Sequence, residues 1–164
     1  MPLTFLRHPP PDVARGVCYG ASDLALLPGW EEAIDALQVG ATAVRHSPLG
    51  RCAGPARRLA ARLGVRAVAD PGLREMDFGA WEMRPWDAVP RGQIDAWAAD
   101  TLHWRPPGGE TVAEMAARVA AALERAGEGE LWLSHAGVFK ALRHLAGAPG
   151  PWDERIGFGE VRTL

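Results

Sequence analysis

Apolar positions along this chain fall into two patterns. Short continuous runs rich in strand formers occupy residues 3–6, 41–45, 65–68 and 131–133, each flanked by turn-prone or helical sequence. Such runs predict buried strands, and a last strand is predicted at 161–163. Between them, residues 30–37, 56–63 and 111–126 carry helical spacing. In the last of these, Val112, Met115, Val119 and Leu123 make one apolar stripe. Strand and helix alternate, which predicts an α/β fold: a three-layer α/β/α sandwich with a mostly parallel sheet. Its ligand site is expected beyond the carboxyl ends of the strands.

The stretch 76–110 breaks this rhythm. It holds Pro85, Pro90, Pro106 and Pro107 together with Trp81, Trp86, Trp97 and Trp104, four of the seven tryptophans. It reads as a small helical lid inserted into one domain spanning residues 1–164, a length able to bury a core without disulfides or metals. The lid tryptophans are expected to pack against one another where aliphatic residues are scarce, with stacking on a ligand as the alternative.

Composition narrows the class. Hydrophobic residues make up 48% and charged residues 23%, which is ordinary globular usage. A net charge of -2 with no basic stripe argues against a nucleic-acid polymer as partner, so any basic site is local. Of the 18 basic residues only Lys140 is lysine. Cys18 and Cys52 form no CxxC pair, which predicts free thiols in a reducing compartment. No apolar run approaches the ~20 residues of a membrane span, and Met1 to Arg7 lacks a leader pattern, so the expected location is the cytoplasm.

The candidate chemistry lies at strand exits. Arg7-His8 follows the first strand, and Ser47-Pro48-Leu49-Gly50-Arg51 follows the second and opens a helix. Ser134-His135-Ala136-Gly137 follows the run at 131–133 and opens another. Two histidines and two arginines thus converge on one sheet edge. Phosphoryl transfer needs cations and donors around three equatorial oxygens and a nucleophile in line with the leaving oxygen, and this set supplies them. The partner is then a small phosphorylated metabolite. No acidic or sulfur ligand is spaced with His8 or His135 in a metal-binding pattern, so neither metal nor cofactor is expected. Cys52 and Arg58 satisfy the Cys-x5-Arg spacing of cysteine phosphatases, but so arginine-rich a chain meets that spacing readily by chance. A structural Cys52 is expected.

Over nearly its full length the sequence resembles the histidine phosphatase superfamily, also called phosphoglycerate mutase-like. Arg7-His8 resembles its Arg-His-Gly signature, Ser47 to Arg51 its Ser-x-Leu-x-Arg motif, and Ser134 to Gly137 its Ser-His-Gly-Gly. Pro107-Gly108-Gly109-Glu110-Thr111 with Arg118 resembles the segment that opens the helix after the lid. Leu73 to Arg84 is most similar to α-ribazole phosphatases of cobalamin biosynthesis. The resemblance implies that His8 attacks phosphorus and becomes phosphohistidine, that Arg7, Arg51 and His135 bind the phosphate oxygens, and that Glu75 is general acid and then base. Asp77 and Glu82 are its rivals. The implied substrate is α-ribazole 5′-phosphate, with a sugar phosphate or other small metabolite, a phosphoglycerate-type mutase, or a non-catalytic phosphate-binding module as alternatives.

The chain departs from the family pattern at Pro9-Pro10-Pro11, where glycine usually follows the histidine. Prolines there remove backbone donors, so phosphate contacts from this loop are not expected, and Tyr19 or Ser22 stand in for them. Pro55 is compatible with a helix start. Substrate contacts from the chain's end near Leu164 are expected to be missing.

Overall fold

A computed structural model describes residues 2–164; Met1 lies outside the described residues. Five strands form one sheet: β1 (Thr4–Arg7), β2 (Ala43–His46), β3 (Arg66–Ala69), β4 (Leu131–Ser134) and β5 (Val161–Thr163), in the order β3-β2-β4-β1-β5. All neighbours are parallel except β5, which runs antiparallel to β1 at the edge. The order places β1 and β4 side by side, with Arg7 paired to Ser134, so the chemistry after both strands emerges at one place.

Five α-helices cover the sheet: α1 (Trp30–Asp35), α2 (Gly50–Leu63), α3 (Arg91–Ala99), α4 (Val112–Glu124) and α5 (Ala136–Leu145). Strand side chains alternate between faces, which builds two cores. Leu6, Val44, Leu131 and Leu133 pack with Ile34 of α1 and Cys52, Ala56 and Leu59 of α2. Phe5 and Trp132 face the other way, onto Met115 and Val119 of α4 and Phe139 and Leu142 of α5. The three layers expected from the alternation are present.

Local sequence explains the helix starts. Thr111 and Glu114 make a reciprocal capping box at α4, each side chain bonding the other's backbone N–H. The α2 start is capped from a distance, the Asp23 carboxylate accepting from Gly50 N at 3.0 Å. That start corrects the expectation for Pro55, which lies inside α2 and deprives the Arg51 carbonyl of its helical donor. Burial within the helix, beside Ala53 and Ala56, accommodates the ring.

One buried ion network ties three strands together. Arg45 on β2 donates to Glu130 before β4 at 2.7 and 3.0 Å and to Asp70 after β3 at 3.0 Å. Asp70 also accepts from Arg125 and caps Gly72. Burial alone would raise both carboxyls. The bonds from Arg125, Gly72 and Arg45 to Asp70, and chiefly from Arg45 to Glu130, bring them below the usual carboxylate range.

Candidate active site

His8 leaves β1 almost fully buried, 1% exposed, with its backbone N–H bonded to the Ser134 carbonyl. Its Nδ1 lies 2.7 Å from the Pro9 carbonyl. A carbonyl only accepts, so Nδ1 carries the proton and Nε2 keeps its lone pair. Proline has lost its N–H but not its C=O, so the departure after the histidine leaves this anchor intact. Burial, opposed by that bond and reinforced by Arg51 and Arg7, lowers the His8 pKa to about 3, so the ring is neutral at physiological pH.

Two arginines stand by. Arg7 donates to the Ile156 carbonyl at 2.6 Å, and its guanidinium lies 3.8 Å from the Phe158 ring centroid. Arg51, fully buried, donates to the carbonyls of Ser22 and Gly20, both at 2.6 Å. These bonds use Nη1 of Arg7 and both terminal nitrogens of Arg51, and Arg7 Nε and Arg51 Nε are buried donors with no partner. Buried unpaired donors are costly, and an anion's oxygens would satisfy them. His135 is also fully buried, its ring 5.2 Å from that of His8 and its Nε2 2.8 Å from Ser47 Oγ. Burial holds its pKa well below the ordinary value, with His8 and the arginines adding to the effect.

Glu75 comes from the loop between β3 and α4. Its Oε2 accepts from Gly137 N at 3.1 Å and its Oε1 from Met76 N at 2.9 Å. Gly137 lies in the first turn of α5, where free N–H groups favour a carboxylate. A Cβ at Gly137 would run into that carboxylate and push it aside, so glycine keeps Glu75 where it is. Neither rival borders the cavity that opens over His8, although Glu82 keeps one buried carboxylate oxygen without a partner. Asp77 caps Gly79 N, and Glu82 accepts from the backbone of Gly20 and Ser22 and from the Ser22 hydroxyl.

A cavity of about 360 Å³ opens over His8, Arg7 and Glu75. Tyr19, Phe78, Trp86, Trp97 and Trp152 wall it, with Met76 and Met115. Arg51 and His135 do not line it; they lie fully buried beside His8. The tryptophans of residues 76–110 pack against one another as expected. Trp81 packs against Trp86, Trp97 and Trp104 at centroid distances of 6.0, 5.6 and 5.5 Å, while Trp86 and Trp97 also face the cavity.

Ser22 serves Glu82 and Arg51 and is absent from the cavity wall, whereas Tyr19 lines it. The chain's end is not without contacts: Trp152 joins the wall, Ile156 holds Arg7, and Phe158 packs on His8 at 5.6 Å. No sequence signal marked these three, which lie in an irregular stretch before β5. Lys140, one helical turn beyond Gly137, also borders the cavity and donates to the Trp152 carbonyl. Its position as the sole lysine was the available hint. His46 bonds the Ser47 carbonyl away from the cavity, and His144 packs on Trp152. Cys52 is buried with its thiol pKa pushed up by burial, and Arg58 pairs with Asp35 on the surface, so the Cys-x5-Arg spacing builds no anion loop.

Residues 3–157 match the profile of the histidine phosphatase superfamily (branch 1). The chain belongs to this superfamily. A protein of Yersinia enterocolitica named probable phosphoglycerate mutase GpmB is 32% identical over 127 residues, 71% of this chain. The chain spans only 59% of that curated relative. Among solved structures, the α-ribazole phosphatase of Shigella flexneri superposes with a TM-score of 0.84 at 26% identity, over 98% of this chain and 88% of that one. A mycobacterial glucosyl-3-phosphoglycerate phosphatase gives 0.83 at 26% identity, over 99% and 89%. Superfamily membership accounts for the shared mostly parallel α/β core. No helix among the described residues is long and apolar enough to cross a membrane.

The buried neutral histidines make a solution prediction. The folded-state pKa values of His8, His46 and His135 all lie below the ordinary 6.5, so on acidification the unfolded chain takes up protons that the folded one refuses. Stability is therefore fully present above pH ~6.5 and is lost as pH falls toward the His8 value of about 3. For His8 the slope approaches ~1.4 kcal/mol per pH unit, and His46 and His135 act in the same direction. Urea melts at pH 7.5 and 5.0 should show a loss of about 2 kcal/mol from His8, absent in His8→Asn; equal midpoints of the wild type at both pH values would refute the neutral assignment.

Proposed function

We propose that this chain hydrolyses small phosphomonoesters through a phosphohistidine at His8. The observation carrying the reading is a neutral histidine, its lone pair fixed at Nε2 by the Pro9 carbonyl, beside two buried arginine Nε–H donors that lack partners. His8 Nε2 attacks phosphorus while the bond to the leaving oxygen breaks, and that oxygen takes the Glu75 proton. Water then attacks the phosphohistidine, Glu75 takes a proton from it, and the P–N bond breaks. Arg7 borders the cavity as a donor to the equatorial oxygens, and the reading takes Arg51 and His135, buried beside His8, as the further donors where charge develops. The reading takes residues 1–164 as one phosphatase domain, with 76–110 as a lid and the cytoplasm as its location.

For substrate, the aromatic wall supports α-ribazole 5′-phosphate, a reading that carries a role in cobalamin biosynthesis with it; the likeness to the Shigella flexneri α-ribazole phosphatase supports the same choice. A second reading, a leaving group that carries an acid as in a phosphoglycerate, is favoured by Lys140, a cation bordering the cavity beyond Glu75. Values of kcat/KM for α-ribazole 5′-phosphate, ribose 5-phosphate and 3-phosphoglycerate decide between them. Stacking on the base should favour the first over the second by ~10-fold or more. Indifference to the base would sink the ribazole reading, a preference for 3-phosphoglycerate would install the second, and no turnover of any ester would sink the phosphatase.

A further inference from the structure

Arg118 on α4 makes an unusual set of bonds for a residue outside the cavity over His8. Its Nη1 donates to the carbonyls of Gly72 at 2.8 Å and Arg74 at 2.6 Å, and its Nη2 to that of Glu75 at 3.1 Å. Its Nε and Nη2 also donate to the two oxygens of Glu110, at 3.3 and 2.6 Å. Glu110 in turn accepts from Asp77 N at 3.1 Å, and its own N–H donates to the Asp77 carbonyl at 2.9 Å. The carbonyls of Gly72, Arg74 and Glu75 and both backbone groups of Asp77 are thus bonded to the pair. The geometry points to Arg118, locked by Glu110, as the positioning residue that holds the Glu75 carboxyl at the leaving oxygen; this rests on the general-acid reading of Glu75.

Packing holds the flanks of this segment but not Arg74 and Glu75 themselves. Leu73 and Met76 are sunk in the core, but Arg74 and Glu75 between them border a second, polar cavity of about 480 Å³ on the side away from His8. Glu75 lines both cavities, so its segment is a thin wall with no apolar backing at that point. The side chain's own two bonds, to Met76 and Gly137, orient the carboxyl but do not engage the Glu75 carbonyl, which Arg118 holds. Arg118 supplies the missing constraint with a planar fork that reaches three carbonyls and one carboxylate, which lysine's single ammonium cannot reproduce. A general acid has to sit within about 2.6–3.2 Å of the oxygen it protonates, and a misplacement of ~1 Å can cost ~100-fold.

The test uses the leaving group. 4-Nitrophenyl phosphate releases an anion that needs no proton, whereas benzyl phosphate releases an alkoxide that does. Because kcat/KM reports steps up to departure of the leaving group, the ratio of the two esters isolates the acid's contribution, and in one preparation it is independent of the fraction folded. In Arg118→Met the benzyl ester should lose ~50-fold or more and the nitrophenyl ester less than ~5-fold. Arg118→Lys should recover little of the difference. Equal losses for both esters, or none, would overturn the positioning role. Glu75→Gln is run alongside: if it shows no dependence on the leaving group, the general-acid reading fails and takes this inference with it, whereas dependence in Glu75→Gln but not in Arg118→Met removes the clamp alone.

Discussion

His8→Asn is expected to lower turnover of any phosphomonoester by about 10⁴-fold or more, since no other group can form the covalent intermediate. Asparagine approximates the imidazole's bulk and can still donate to the Pro9 carbonyl, so the pocket is kept while the lone pair at Nε2 is removed. Rapid quench with a 32P-labelled substrate should trap acid-labile, base-stable label on the wild-type chain and none on the variant. Cys52→Ser, by contrast, should retain the greater part of the activity, because the thiol is buried in α2 and Arg58 is engaged with Asp35. Label surviving in His8→Asn, or activity lost in Cys52→Ser, would reverse the assignment of the nucleophile.

The second large effect is on stability. Arg45→Met should cost about 3–5 kcal/mol, because it strands the Glu130 and Asp70 carboxylates in a buried setting. Breaking a buried pair from one side leaves a charge that neither water nor a partner solvates. Asp70 keeps Arg125, so most of the penalty falls on Glu130, which Arg45 holds with two bonds. For a chain of this length that corresponds to a fall in Tm of roughly 6–20 °C. Adding Glu130→Gln to Arg45→Met should recover part of the loss. A Tm within ~2 °C of wild type would show that the network contributes little.

Much of this molecule could be read from the chain because the reading rested on strand exits. Apolar runs fixed the five strands to within a residue or two at most ends, and the residues following β1, β2 and β4 were the candidates that meet around His8. The second helix opens at Gly50, where Ser47 to Arg51 was expected to open it, but its apolar spacing was read only from residue 56 and Pro55 looked like a beginning; nothing local showed that Asp23, far back in sequence, caps Gly50. The prolines after His8 drew attention to lost donors, while the bond that matters there uses an acceptor that every residue has. Ile156 and Phe158 escaped notice for a different reason. A backbone carbonyl and a ring brought in by an irregular segment leave no periodicity, and only the fold shows that the chain returns to Arg7 before pairing as β5.

The ring cluster of the lid has an optical consequence. Phe78, Trp81, Trp86 and Trp97 all lie within 6.4 Å of one another, centroid to centroid, and Trp81 and Trp104 stack at 24°. Indoles that close couple their excited states, so the segment carries an intrinsic exciton signal in circular dichroism that lasts only while the rings hold this arrangement. Because Trp86 and Trp97 also line the cavity over His8, the same transitions sense what lies there, and the order of residues 78–104 can be followed in solution without attaching a label.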